Sequence, residues 1–191
     1  MNKEKFYAHL ELILSLLKET EKIKKALPAT ERGNETERLT NQFMNRFFEL
    51  YLSLRNNPSL KLDDKYQDFI EQSQYLLRGL TSELNDYISE LEDWLRTTFY
   101  YNEWERIICK GRSAVEAVKE IYRGTSLEQF YQESSPYALD LDTEDLDDSL
   151  EIQGGKRGGL KEEDIPREIP ASHWWWWSPD EPPNYVREDD E

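Results

Sequence analysis

Residues 66–99, YQDFIEQSQYLLRGLTSELNDYISELEDWLRTTF, decide the fold class of this chain. Apolar and aromatic residues recur in this stretch every three or four positions, which is the spacing of one face of an α-helix. The pattern predicts a single long third helix. Gly79 is its weak point, because glycine costs about 1 kcal/mol relative to alanine inside a helix. A break at Gly79, with Thr81 or Ser82 capping a new helix, is the alternative interpretation.

Similar stripes on both sides of this stretch predict further helices, and no strand-like alternation occurs in residues 1–138. The predicted boundaries are a first helix from Asn2 to Leu27, a loop over 28–34, a second helix ending at Asn56, a fourth opening at Asn102 and ending near Gly124, and a short fifth starting at Ser126. We therefore predict an all-α fold, an antiparallel four- to five-helix bundle with one long helix, followed by a largely irregular acidic C-terminal tail.

The charge distribution predicts where the folded domain ends. The chain carries a net charge of −16, and from residue 139 onward 17 acidic residues face 5 basic ones, a net of −12. We predict a helical bundle domain over 1–133, an acidic flexible linker with a glycine-rich hinge over 134–168, and a tryptophan-rich docking segment over 169–191. Such acidity disfavours direct binding to nucleic acid or anionic membranes and favours a protein partner with a basic surface.

The cysteine content and the short apolar runs indicate the compartment in which the protein is expected. Cys109 is the only cysteine, which excludes an internal disulfide and a cysteine-based zinc site. The chain shows no signal-peptide pattern, and no apolar run is long enough for a membrane span. We expect a cytoplasmic protein.

Four consecutive tryptophans, Trp174–Trp177, form a run that no helical or strand period explains. Pro170 and Pro179 bound this tryptophan run and bias it toward extended backbone, so we expect Trp174 and Trp176 on one face and the other two on the opposite face. So much apolar surface must be covered. The run docks on another protein or folds back on the bundle, and contact with a membrane interface or stacking on a carbohydrate is the remaining alternative.

The preceding acidic stretch, residues 139–150, interleaves carboxylates with single leucines, a pattern typical of segments that fold on a partner. It adds to the tryptophan run a set of candidate partner-binding residues. The full set is His173, Trp174, Trp175, Trp176, Trp177, Tyr185, Leu141, Asp145, Leu146, Asp147, Asp148 and Leu150.

Groups suited to catalysis or metal binding are scarce. The two histidines, His9 and His173, stand in no recognisable catalytic context. The spacing of Asp140, Asp142 and Glu144 resembles a calcium loop, but Asp145 occupies the position that requires glycine. We predict no catalytic residue, no metal site and no cofactor.

The first functional hypothesis is a non-enzymatic helical adaptor or regulatory accessory protein that binds a partner with a basic and apolar surface through its acidic, tryptophan-rich tail. The second is an acidic mimic of nucleic acid that inhibits a DNA- or RNA-binding protein. The third is a small enzyme or ligand-binding bundle that uses the aromatic residues near Trp94 and Trp104. The long third helix could also pair with another copy to form a homo-oligomer.

Overall fold

The computed structural model describes residues 2–97, 104–133, 143–157, 160, 163 and 165–177, and all statements below concern these residues. They form α-helices joined by turns, with no strand among them, so the predicted all-α class is confirmed for this part of the chain. The helices are α1 Lys3–Ala26, α2 Ala29–Asn56, α3 Asp64–Gly79, α4 Thr81–Thr97, α5 Trp104–Ile121, α6 Ser126–Glu133 and α7 Glu144–Arg157. Two 3-10 helices cover Pro58–Leu62 and Trp174–Trp176.

The internal contacts divide the chain into two units, and the division falls within α4 and α5. Unit 1 comprises residues 1–88 and 114–141, and unit 2 comprises residues 89–113 and 142–191. The division therefore groups part of α4 and α5 with the tail, whereas the sequence analysis grouped both helices with residues 1–133.

In unit 1, α1 and α2 form a helical hairpin with a tight connection. Asn2 caps α1 by accepting a hydrogen bond from the backbone N–H of Lys5 at 2.9 Å. Only Leu27 and Pro28 separate the two helices, so the predicted loop over 28–34 is wrong. A proline immediately before a helix has no N–H to leave unsatisfied, which lets α2 start directly after it.

The third apolar stripe is divided at Leu80, as the alternative interpretation held. Leu80 has φ −108° and ψ 19°, outside the helical range, and its N–H bonds to the carbonyl of Leu77 at 3.0 Å in 3-10 fashion. The side chain of Lys24 donates to the carbonyl of Gly79 at 2.8 Å and to Glu83 at 2.6 Å, which secures this geometry. A single long third helix is thus wrong, and the homo-oligomer predicted through it loses its premise.

Large apolar and aromatic side chains from α1 through α6 fill the core of unit 1. The hydroxyls of Tyr122 and Ser73 lie 2.6 Å apart inside it, and the ring of Phe47 meets that of Tyr122 edge-on at 5.9 Å. The fully buried core residues include Phe6, Ile13, Leu17, Leu39, Phe43, Met44, Leu50, Phe69, Leu77, Leu84, Val115, Val118 and Leu127. Most lie on the stripes that the sequence predicts, which is why the helical class could be inferred.

The connection between α5 and α6 follows the predicted stop at Gly124, which has a positive φ of 75°. α6 begins at Ser126, as predicted. The hydroxyl of Thr125 accepts from the N–H of Leu127 at 3.3 Å, and the carboxylate of Glu128 accepts from the N–H of Gly124 at 2.6 Å. Thr125 therefore caps this helix.

In unit 2, α7 occupies part of the segment that the sequence analysis assigned to an irregular linker. Leu146 and Leu150, one turn apart, are both buried, whereas acidic residues fill the first turn, where the helix dipole stabilises them. The alternation of leucine and carboxylate is therefore helical rather than irregular over 144–157. Gly154 and Gly155 belong to the last turns of this helix, and the rest of the predicted hinge, 158–159, lies outside the described residues.

The tryptophan run adopts a 3-10 turn instead of the predicted extended strip. The N–H of Trp176 bonds to the carbonyl of His173 at 3.2 Å, and that of Trp177 bonds to Trp174 at 3.0 Å. Three of the four rings are buried and only Trp174 is partly exposed, so the predicted alternation of faces is also wrong. We call residues 165–177 the C-terminal segment.

Candidate functional site

One face of α5 in unit 2 carries the polar side chains that hold the tail. Cys109, Arg112 and Ser113 stand at positions i, i+3 and i+4, so their side chains lie on one stripe of the helix. All three are buried. We call this set the α5 face, because both α7 and the C-terminal segment bind to it.

Ser113 is the centre of the hydrogen-bonding network. Its hydroxyl oxygen accepts from the indole N–H of Trp176 at 2.8 Å and from that of Trp175 at 3.2 Å. Because a hydroxyl has two acceptor positions, both are then filled, and its proton is left to donate to Nδ1 of His173 at 3.0 Å. This arrangement corresponds to the tautomer of His173 that has its proton on Nε2.

Cys109 and Trp175 form a reciprocal pair one helical turn away. The indole N–H of Trp175 is shared with the carbonyl oxygen of Cys109 at 3.1 Å. In return, the thiol of Cys109 donates to the carbonyl oxygen of Trp175 at 3.2 Å. The imidazole of His173 stacks on the Trp175 ring, with centroids 4.7 Å apart.

Arg112 connects α7 to the C-terminal segment. Its guanidinium makes a two-pronged ion pair with Asp147, through Nε at 2.7 Å and Nη2 at 3.0 Å. The same guanidinium lies over the ring of Trp175, 4.3 Å from the centroid. Thr143, just before α7, donates a further hydrogen bond to the Asp147 carboxylate, at 3.1 Å.

The predicted partner-binding residues fall into two groups. The buried ones are His173, Trp175, Trp176, Trp177, Leu146 and Leu150. Asp147 belongs with them because it forms an ion pair with Arg112. Asp145 and Asp148 are exposed on α7, and Trp174 is 37% exposed. Leu141 and Tyr185 lie outside the described residues. Among the alternatives for the tryptophan run, these contacts correspond to folding back on the same chain.

Arg112 and Ser113 were not predicted from the sequence, and Cys109 was not predicted to bind the tail. A signal for them was present, because polar side chains at positions 109, 112 and 113 interrupt an otherwise apolar stripe that contains Ile108 and Val115. A buried polar group on a helix requires a hydrogen-bonding partner. Tryptophan and histidine of the tail supply such partners.

The Ser113–His173 pair resembles a nucleophile and its base, but its geometry is that of a structural contact. Ser113 is 0% and His173 1% exposed, so neither faces a space that a substrate could enter. Both acceptor positions of the Ser113 oxygen are also filled by indole N–H groups, which would lower its nucleophilicity. In the part of the chain that the structure describes, no cluster of three histidine, cysteine or acidic residues could hold a metal ion.

Unit 1 contains a surface depression of about 540 Å³ between α1, α3 and α6. Arg78 lines it, but donates to the carbonyl and hydroxyl of Ser126 at 2.8 and 2.7 Å, and lies over the ring of Phe130. A cation held this way is poorly placed to recognise a ligand. Of the aromatic residues first considered for a pocket, Trp94 is exposed, and the side chain of Trp104 is outside the description.

No family model, no curated protein and no solved structure matches this chain. The helices of the described residues are also too short or too polar to cross a membrane. The α5 face and the elements bound to it are therefore interpreted from their own geometry.

Proposed function

We propose that this chain is a non-enzymatic helical adaptor or regulatory accessory protein that binds a partner protein through its acidic, tryptophan-rich C-terminal tail. In this proposal the helices of residues 1–133 form the antiparallel bundle that the sequence predicts and provide the rigid part. The tail provides the binding part, and the protein acts in the cytoplasm.

The observation that carries the proposal is the division of α7 into two faces. Leu146 and Leu150 are buried, and Asp147 neutralises Arg112. The remaining carboxylates are exposed, namely those of Glu144, Asp145, Asp148 and Glu151. The fold thus places a row of exposed negative charges on one helix.

The chemistry of this face supports one kind of partner surface. Four carboxylates over two turns attract a basic surface and accelerate its association, and the effect weakens as salt screens the charges. Ile152, 57% exposed at the end of the same row, offers an apolar contact beside the charges. A partner surface that is both basic and apolar therefore fits best.

The proposal is tested by neutralising the exposed face of α7 and comparing it with an equal change elsewhere. The tail variant combines Glu144→Gln, Asp145→Asn, Asp148→Asn and Glu151→Gln. The control variant combines Glu11→Gln, Asp68→Asn, Glu71→Gln and Asp86→Asn, which are also exposed and lie in unit 1. Both remove two glutamates and two aspartates, so overall charge is matched.

Quantitative affinity purification with the wild type and both variants provides the measurement. We expect the tail variant to lose the captured proteins and the control variant to retain them, with equal helicity by circular dichroism. Equal capture by both variants would remove the basis of the proposal.

The same row of carboxylates favours the second hypothesis, mimicry of nucleic acid, since closely spaced charges can imitate phosphates. The two hypotheses differ in salt dependence. Mimicry predicts that affinity falls steeply with ionic strength, whereas an interface with an apolar contribution retains binding in high salt.

A further inference from the structure

We propose that the C-terminal segment is a releasable latch, whose docking on the α5 face conceals Trp175, Trp176 and Trp177 until the segment opens as a unit. The regulatory meaning of the latch rests on the proposed function, because the concealed indoles would be the anchors of the partner interface. Its existence can be tested without any partner.

The C-terminal segment carries its own backbone structure. Its described backbone hydrogen bonds are all local, from Ile169 to Pro166, from His173 to Pro170, and from Trp176 and Trp177 to the residues three places before them. The described bonds to the α5 face each involve a side chain of one partner. Undocking would therefore cost no turn of backbone structure.

Three of the five described docking bonds converge on one small side chain, and the other two join Cys109 to Trp175. Ser113 bonds to His173, Trp175 and Trp176 together, so these three groups dock or leave together. Bonds that share one group are lost cooperatively, which is the behaviour of a local opening unit.

α7 has one attachment to α5 that uses no indole N–H, the ion pair of Asp147 with Arg112, although α7 also packs against the 3-10 turn of Trp174–Trp176. In the proposal this ion pair keeps α7 on α5 when the segment opens. Opening would then add indole anchors, each able to bury about 200 Å², to a charged surface that is already exposed.

The only cysteine of the chain reports on the latch. The Cys109 thiol is buried and donates to the carbonyl of Trp175, so docking protects it from a thiol reagent such as 5,5′-dithiobis(2-nitrobenzoic acid). Under conditions in which closing is faster than labelling, the labelling rate is proportional to the open fraction.

The key variant is Trp176→Phe, which keeps an aromatic ring but removes the indole N–H bonded to Ser113. The matched control is Trp174→Phe, the same substitution at the partly exposed neighbour. We expect labelling of Cys109 in the full chain to accelerate about tenfold in Trp176→Phe, since one buried hydrogen bond is lost, and to stay at the wild-type rate in Trp174→Phe. Ser113→Ala should accelerate labelling further, by roughly 10- to 100-fold, because it removes the shared group.

Denaturant dependence distinguishes a latch from general destabilisation. A local opening exposes little surface, so labelling in Trp176→Phe should be nearly independent of urea well below the unfolding transition. Equal rates in the two phenylalanine variants, or acceleration with the full urea dependence of global unfolding, would show that the segment is a permanent part of the fold. Either result would overturn the latch and leave the α7 proposal to be judged by affinity purification.

Discussion

The hydroxyl oxygen of Ser113 lies 2.8 Å from the indole nitrogen of Trp176, although 63 positions separate the two residues in the sequence. A buried serine and a buried tryptophan each require a hydrogen-bonding partner, and here each supplies the other. The α5 face therefore offers the aromatic tail hydrogen-bonding groups as well as apolar surface.

The ion pair of Arg112 and Asp147 should show unequal effects when either side is removed. The Arg112 side chain is 6% exposed and that of Asp147 is 28% exposed, so loss of the carboxylate leaves the more deeply buried charge with fewer acceptors. We expect Asp147→Ala to lower the free energy of unfolding by about 3 kcal/mol and Arg112→Met by less, because methionine preserves packing on Trp175. Urea unfolding followed by circular dichroism measures both. Equal or reversed effects would contradict the account of Arg112.

Lys24, which binds at the break between α3 and α4, should contribute far more to stability than its neighbour Lys25. Lys24 donates to the Gly79 carbonyl, to Ser82 and to the buried carboxylate of Glu83. Lys24→Met should cost about 2–4 kcal/mol, because it removes an ion-pair partner from a buried acid. Lys25→Met removes only an exposed pair with Glu21 and should leave stability nearly unchanged. Thermal unfolding of the two variants provides the comparison. Similar melting temperatures would contradict the stabilising role of Lys24 at the break between α3 and α4.

Buried phenols should make unit 1 sensitive to alkali. Burial raises the pKa of Tyr66 to about 12, and it raises the pKa values of Tyr122 and Tyr131 as well. The folded state therefore holds these protons more tightly than the unfolded state, whose tyrosines ionise near pH 10. Stability is complete below about pH 10 and declines as the pH rises toward 12.

The matched variant for this test is Tyr66→Phe, which cannot ionise. Urea unfolding at about pH 8 and about pH 11 should show a smaller loss of stability in the variant than in the wild type. If both proteins lose the same free energy over this interval, Tyr66 contributes nothing to the alkaline instability.

The helical class and most of the core of unit 1 could be predicted from the sequence because they follow from local periodicity. Phe6, Ile13 and Leu17 repeat at helical spacing, and such a stripe has to face apolar partners. The start of α2 could not be placed by the same reasoning, because Pro28 and Gly33 are typical of a loop as well as of the beginning of a helix. A break beside Gly79 could be anticipated from the sequence, but the bonds that Lys24 makes there could not, because they join residues distant in sequence.

The candidate site was predicted only in part, because one half of it is a long-range match. Trp174–Trp177 stand out by composition alone, and a covered position could be expected from their apolar area. Their conformation and their receptor on α5 could not be expected, since a 3-10 turn leaves no period in four identical residues. Arg112 and Ser113 carry no local motif, and only the folded chain brings them to the indoles.

Hydrogen exchange of the tryptophan indole N–H groups, followed by 15N-resolved NMR on the full chain, tests the docking of the C-terminal segment most directly. Trp175 and Trp176 donate to Ser113 inside unit 2, whereas the rings of Trp94 and Trp174 are partly exposed. The account predicts that the indole protons of Trp175 and Trp176 exchange far more slowly than those of Trp94 and Trp174, and that Ser113→Ala removes the difference for Trp176. Exchange of all these indole protons at one common, unprotected rate would contradict it.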